Sequence, residues 1–111
     1  MTTKKIYNYK TPWGFTAKVR IAIDKYVLDD ALALRLVDAE DGSSFGIITT
    51  YLENTNPKPN HAFIKTWSEN EGVEDFIVQN KIGRPTGRVV RSGFIVSPEY
   101  DFTSLMAEEF V

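Results

Sequence analysis

The chain has no cysteine, one histidine and two methionines among its 111 residues. The missing cysteines exclude disulfides, zinc–thiolate sites and thiol nucleophiles together. A small secreted domain commonly needs such cross-links, so their lack points to a reducing, cytoplasmic setting. Long apolar runs are missing too. None approaches the roughly 18 residues of a membrane helix. No apolar stretch follows Met1-Thr2-Thr3-Lys4-Lys5, so no signal peptide is expected. Neither charge dominates: 13 basic residues against 15 acidic ones leave a net charge of −2. That balance argues against a polyanion binder over the whole surface, and against an acidic mimic of DNA.

What is present suffices for a core. Hydrophobic residues make up 42% of the chain and aromatics 13%, which argues against disorder as a class. The length suits a single domain over residues 1–111. There is no internal repeat or low-complexity linker.

Period-two alternation is the main structural signal. Phe15, Ala17, Val19, Ile21 and Ile23 alternate with Thr16, Lys18, Arg20 and Ala22, the pattern of a half-buried strand. Tyr7 and Tyr9 suggest a shorter strand before it, joined through the turn residues Thr11-Pro12-Trp13-Gly14. Two further runs, 32–37 and 45–51, flank Asp41-Gly42, a strong hairpin signal between alternating segments. After a Pro-containing loop at 53–60, His61 to Trp67 has room for a short strand. The last strand is expected over about Val89 to Val96, ended by Pro98.

One main helix is expected over about 71–80. Ser68 and Glu71 have capping-box spacing, and Val73, Phe76 and Ile77 make an apolar stripe. Gly83 suits a left-handed cap after it. A short helical segment near the C-terminus would begin at Thr103 and pair Met106 with Phe110. Such a short helix is marginal alone, so it must dock or fray. The expected fold is therefore α+β: one antiparallel sheet of five to six strands, with the 71–80 helix packed on one face. The alternative is a small, partly open barrel with the same helix as a plug.

Candidate chemistry centres on one segment. Lys81, Arg84, Arg88 and Arg91 fall within eleven residues that hold no acid. Removing these four charges from the net −2 leaves −6 on the rest of the chain. Glycines at 83, 87 and 93 expose backbone N–H groups among the arginines, so anion contact is one reading. The Gly-Lys-Ser/Thr ending of a P-loop is missing. The other reading is structural: a turn at 83–88, a strand with Gly93 at a bulge, and arginines paired to acids of the helix start or hairpin tip. Trp13 is added as a binding residue because Tyr7, Tyr9, Trp13 and Phe15 interleave with lysines, a pattern that suits stacked bases as well as an ordinary strand.

Catalytic and metal signatures fail on inspection. Asp38, Glu40 and Asp41 lack the spacing of a calcium loop. His61 has no acid close in sequence to orient it, and no serine sits in a nucleophile elbow. Asp29-Asp30 reads as a turn. The chain is expected to be no enzyme and to need neither cofactor nor metal.

The ending Gly83-Arg84-Pro85-Thr86-Gly87-Arg88, three residues, Ser92-Gly93-Phe94, then Pro98, Tyr100 and Phe102 carries a resemblance. With Glu74-Asp75-Phe76-Ile77 it resembles a family of small uncharacterised proteins of plasmids, conjugative elements and phages of Gram-positive bacteria. The resemblance implies a cytoplasmic accessory protein of a mobile element and carries no catalytic residues. The reading at this point is a non-enzymatic interaction protein, monomer or homodimer, off the membrane. An unidentified protein would contact Lys81, Arg84, Arg88, Arg91 and Trp13. Inhibition of a host defence protein is one such role. Nucleic-acid binding through 81–91 is the alternative.

Overall fold

A computed structural model of the protein describes residues 1–27, 31–67, 70 and 72–111. The chain forms two antiparallel sheets of four strands each. The first is a meander: β1 (Tyr7–Lys10), β2 (Thr16–Lys25), β3 (Leu32–Asp38) and β4 (Ser44–Ile47), in that spatial order. The second holds β5 (Thr49–Thr50), β6 (His61–Ile64), β7 (Arg84–Ser92) and β8 (Ile95–Asp101), ordered β5-β6-β8-β7. Helices are limited, among the described residues, to α1 (Val73–Gln79) and α2 (Thr103–Met106).

The expected α+β fold is overturned. Of the described residues, strands take 48% and helix 11%, and no main helix among them lies across a sheet. The helix start was expected from the Ser68–Glu71 capping box, a pair outside the described residues. Helix α1 begins after Gly72, whose φ is 86°, and seven residues make only two turns. Its stripe still enters the core as three side chains, Val73, Phe76 and Ile77. Phe76 meets Tyr7 and Tyr9 of β1 edge-on.

The cap after α1 also differs from the expectation. Lys81, not Gly83, takes the left-handed conformation, with φ 55°. The Lys81 N–H donates to the Val78 carbonyl and the Ile82 N–H to the Ile77 carbonyl, a Schellman motif. Its apolar contact is supplied by Ile77 and Ile82, both buried. Gly83 serves a different need. A Cβ there would lie 2.8 Å from the Phe102 ring, so only glycine fits the approach.

One core cluster joins the two sheets. The first sheet contributes Tyr7, Tyr9, Val19, Ile21, Ile23, Leu32, Leu34 and Leu36. The second contributes Ala62, Ile64 and Tyr100, and Phe102 follows just after β8. The expected alternation of β2 and β3 sets this inner face. At Ile48 the chain leaves the first sheet: its N–H donates to the Leu34 carbonyl, and its own carbonyl accepts from Lys65 N–H. The 45–51 run therefore does not continue as one strand. Ile47 is exposed and Ile48 buried, so the inward face flips there.

The C-terminal segment docks on its own domain. Leu105 is buried, and Thr3 bridges Phe110. Val111 N–H donates to the Thr2 carbonyl, and Lys4 N–H to that of Glu109. Thr103 does not cap α2. Asp101 instead accepts from the Thr103 N–H and hydroxyl, at 2.9 and 2.6 Å.

Candidate interaction surface

Of the segment 83–88, expected as a turn, residues 84–88 are the first half of β7, and the Val89–Val96 strand is split by a hairpin. Strand β7 pairs with β8 from Arg84↔Asp101 to Ser92↔Ile95. Gly93 and Phe94 form the two-residue turn, and Gly93 has φ 63°. A positive φ at the first turn residue is what a type II′ hairpin requires. So Gly93 marks a turn, not a bulge. The bulge lies earlier, where the register shifts between Pro85 and Val89 and Gly87 has φ 91°. Pro98 sits inside β8 and does not end it. It lies beyond Glu99, the last residue that β6 pairs, so its missing N–H leaves no β6 partner unserved.

The bulge turns Thr86 and Arg88 toward β8. Glu99, 5% exposed, is the centre of a charged cluster. It accepts from the Thr86 hydroxyl at 2.9 Å and from Arg88 at 3.4 Å, with His61 Nδ1 3.3 Å away. Arg88 also donates to the Thr55 carbonyl at 2.8 Å and stacks over the Phe63 ring, which fastens the 51–60 loop to the sheet. Two residues along β8, Asp101 lies 3.5 Å from Arg84 and 3.8 Å from His61 Nε2. The two hydrogen bonds from Thr103, with His61 and Arg84 nearby, hold the Asp101 carboxyl below its usual pKa. A buried carboxylate survives because its oxygens are filled by donors and cations. Both Glu99 oxygens are taken up inside the fold, where they fasten β6, β7 and β8 to one another.

The expected site residues therefore separate. Arg84 and Arg88 meet in this cluster, paired to β8 rather than to the helix start or the hairpin tip. Arg91 lies further out on β7, beside a cleft of about 320 Å³ that Tyr51, Leu52 and Glu53 also line. Among the described residues it has no ion pair. Lys81 sits at the end of α1. Trp13 belongs to the β1–β2 turn of the first sheet, 66% exposed and stacked on Phe15.

Sequence reasoning missed His61, Thr86, Glu99 and Asp101 as partners of the arginines. The period-two spacing of Glu99 and Asp101 was the available signal, because it puts both acids on one strand face. It also missed the apolar tip. Val89, Phe94, Ile95 and Val96 are all exposed, and Phe94 wholly so, at 105%.

At the other hairpin, Asp38 accepts from the N–H groups of Glu40 and Asp41, and Asp41 from that of Ser43. Those carboxylates serve the turn. Among the described residues no cluster of three or more His, Asp or Glu could hold a metal ion. No described helix is long and apolar enough to cross a membrane.

The fold is thus a pair of four-stranded antiparallel sheets, with a hairpin arm that is apolar at its tip and charged at its base. The chain belongs to the family described as Domain of unknown function (DUF4313), whose model matches residues 20–111. No curated protein and no solved structure matches it.

Proposed function

We propose that the protein is a non-enzymatic interaction module whose contact with a protein partner is the β7–β8 hairpin arm. The observation that carries this is the exposure of Val89, Phe94, Ile95 and Val96 on one arm, where an apolar anchor stands beside Arg91, which has no ion pair among the described residues. Aromatic and arginine side chains are the residues that most often dominate protein contacts. The rigid two-residue turn lowers the ordering cost of presenting Phe94. Such a module suits the accessory role on a mobile element that the ending implies, including inhibition of a host defence protein.

The nucleic-acid reading is less well supported. Arg84 and Arg88 already face Asp101 and Glu99, which leaves Lys81 and Arg91 as the cations of the segment without a carboxylate partner among the described residues. Few phosphate contacts mean weak binding.

The test is a photo-reactive residue at position 94 in a Gram-positive host, with position 40 as control. A discrete protein adduct from 94 that Arg91→Glu abolishes is expected. Equal adduct patterns from 94 and 40 reject the reading. Oligonucleotide retention at low salt, lost in Lys81→Ala/Arg91→Ala, would move the assignment to nucleic acid.

A further inference from the structure

The open sheet edges are unequally protected. An edge strand offers unpaired N–H and C=O groups to any other strand, unless it is short, kinked, charged or covered. β5 has two residues. β4 has four, with Gly46 at φ 131° and a register shift against β3. β1 has α1 beside it, with Phe76 against Tyr7 and Tyr9. The inner half of β7 carries Pro85 and the bulge. The outer half, Val89 to Ser92, has neither. It runs in unbroken register with β8.

A two-residue turn closes on a hydrogen-bonded pair, and such pairs alternate along the ladder. Ser92 and Val90 therefore direct their backbone groups at β8. Val89 and Arg91 direct theirs at the open side. We infer that this half-strand pairs antiparallel with the same half-strand of a second copy, about a two-fold axis at Val90. A two-fold contact must be self-complementary, and this one is. Val89 exchanges both backbone hydrogen bonds with Arg91 of the second copy, and Arg91 with its Val89. Val90 faces Val90 across the axis, and Arg88 falls opposite Ser92. No arginine stands directly opposite another, so the like-charge penalty of a facing pair is avoided. The second copy is favoured over a foreign strand because in this register one sequence supplies both sets of donors and acceptors and sets no arginine directly opposite another.

This goes beyond the tip-contact reading, since it uses the strand edge and leaves Phe94 free. The contact is short, so the dimer is weak and concentration-dependent. Light scattering and sedimentation across about 1 µM to 1 mM should show the mass rising from 12.6 kDa toward twice that value. Arg91→Pro removes one outward N–H and no bond to β8, so it should stay at one copy with wild-type circular dichroism and Tm. Arg91→Ala should still associate. Val90→Lys sets two ammonium groups face to face at the axis and should also stay at one copy at low salt. A wild-type mass fixed at one copy overturns the inference, as does Arg91→Pro or Val90→Lys associating as fully as wild type. Cross-linking from position 94 in a monomeric protein would leave the tip reading standing and remove only the self-pairing.

Discussion

In the first sheet, β2 and β3 bury aliphatic side chains at every second position, with Val19, Ile21, Leu34 and Leu36 almost wholly enclosed. In the second, β8 buries Glu99 on one face and Tyr100 on the other. The inner face of the first sheet is thus held by apolar area. The second is held on its inner face by apolar area and on its outer face by a charged cluster. Beyond that cluster the β7–β8 arm runs out with its apolar side chains in solvent. The same hydrogen-bonded ladder backs a core in one place and solvent-exposed apolar side chains in the other. What differs is whether side chains on each face find partners.

That contrast can be broken at several depths. Leu34→Ala removes a fully enclosed side chain and should destabilise by about 2–5 kcal/mol, read as a lower denaturant midpoint with unchanged slope. Glu99→Ala leaves Arg88 and His61 without their carboxylate. Arg88 is 44% exposed, so water recovers part of the loss, and about 1–3 kcal/mol is expected. The 51–60 loop should then exchange its amide hydrogens faster, because Arg88 no longer holds the Thr55 carbonyl in place. Lys81→Gly relieves a left-handed non-glycine residue and should stabilise by about 1 kcal/mol, a Tm rise of a few degrees.

How much could be read beforehand follows the same division. The strands Thr16–Lys25 and Leu32–Asp38 and the Asp41-Gly42 turn were legible, because alternation with one buried face is a local signal. The second sheet was not. Its pairing of β6 with β8 joins residues far apart in sequence, so His61 seemed to lack an acid while Glu99 and Asp101 waited across the sheet. The helix was overextended because acids and an apolar stripe around 71–77 look the same in a two-turn plug as in a full helix. Gly83 looked like a cap, since its role depends on Phe102, nineteen residues on. The basic segment is a cluster of charges in sequence that the fold separates, with Arg84 and Arg88 paired to β8 and Arg91 further out. Arg84 and Arg88 were expected among the binding residues, and the alternative reading paired the arginines with acids of the helix start or hairpin tip; the acids they meet are Asp101 and Glu99 of β8. The Phe94 tip had no signal at all, because exposure of an aromatic residue is not written in local pattern.

The central claim is that the arm is built for contact and lies outside the stabilising core. The direct measurement is thermal unfolding of the Val89→Ser/Phe94→Ser protein beside wild type. Exposed positions away from caps and strain should change stability by no more than about 0.5 kcal/mol each, so the account predicts a Tm within a few degrees of wild type together with loss of the adduct formed by a photo-reactive residue placed at the exposed position 92 of the same arm. A collapse of Tm comparable to that of Leu34→Ala would contradict it, placing the arm in the core and not at an interface.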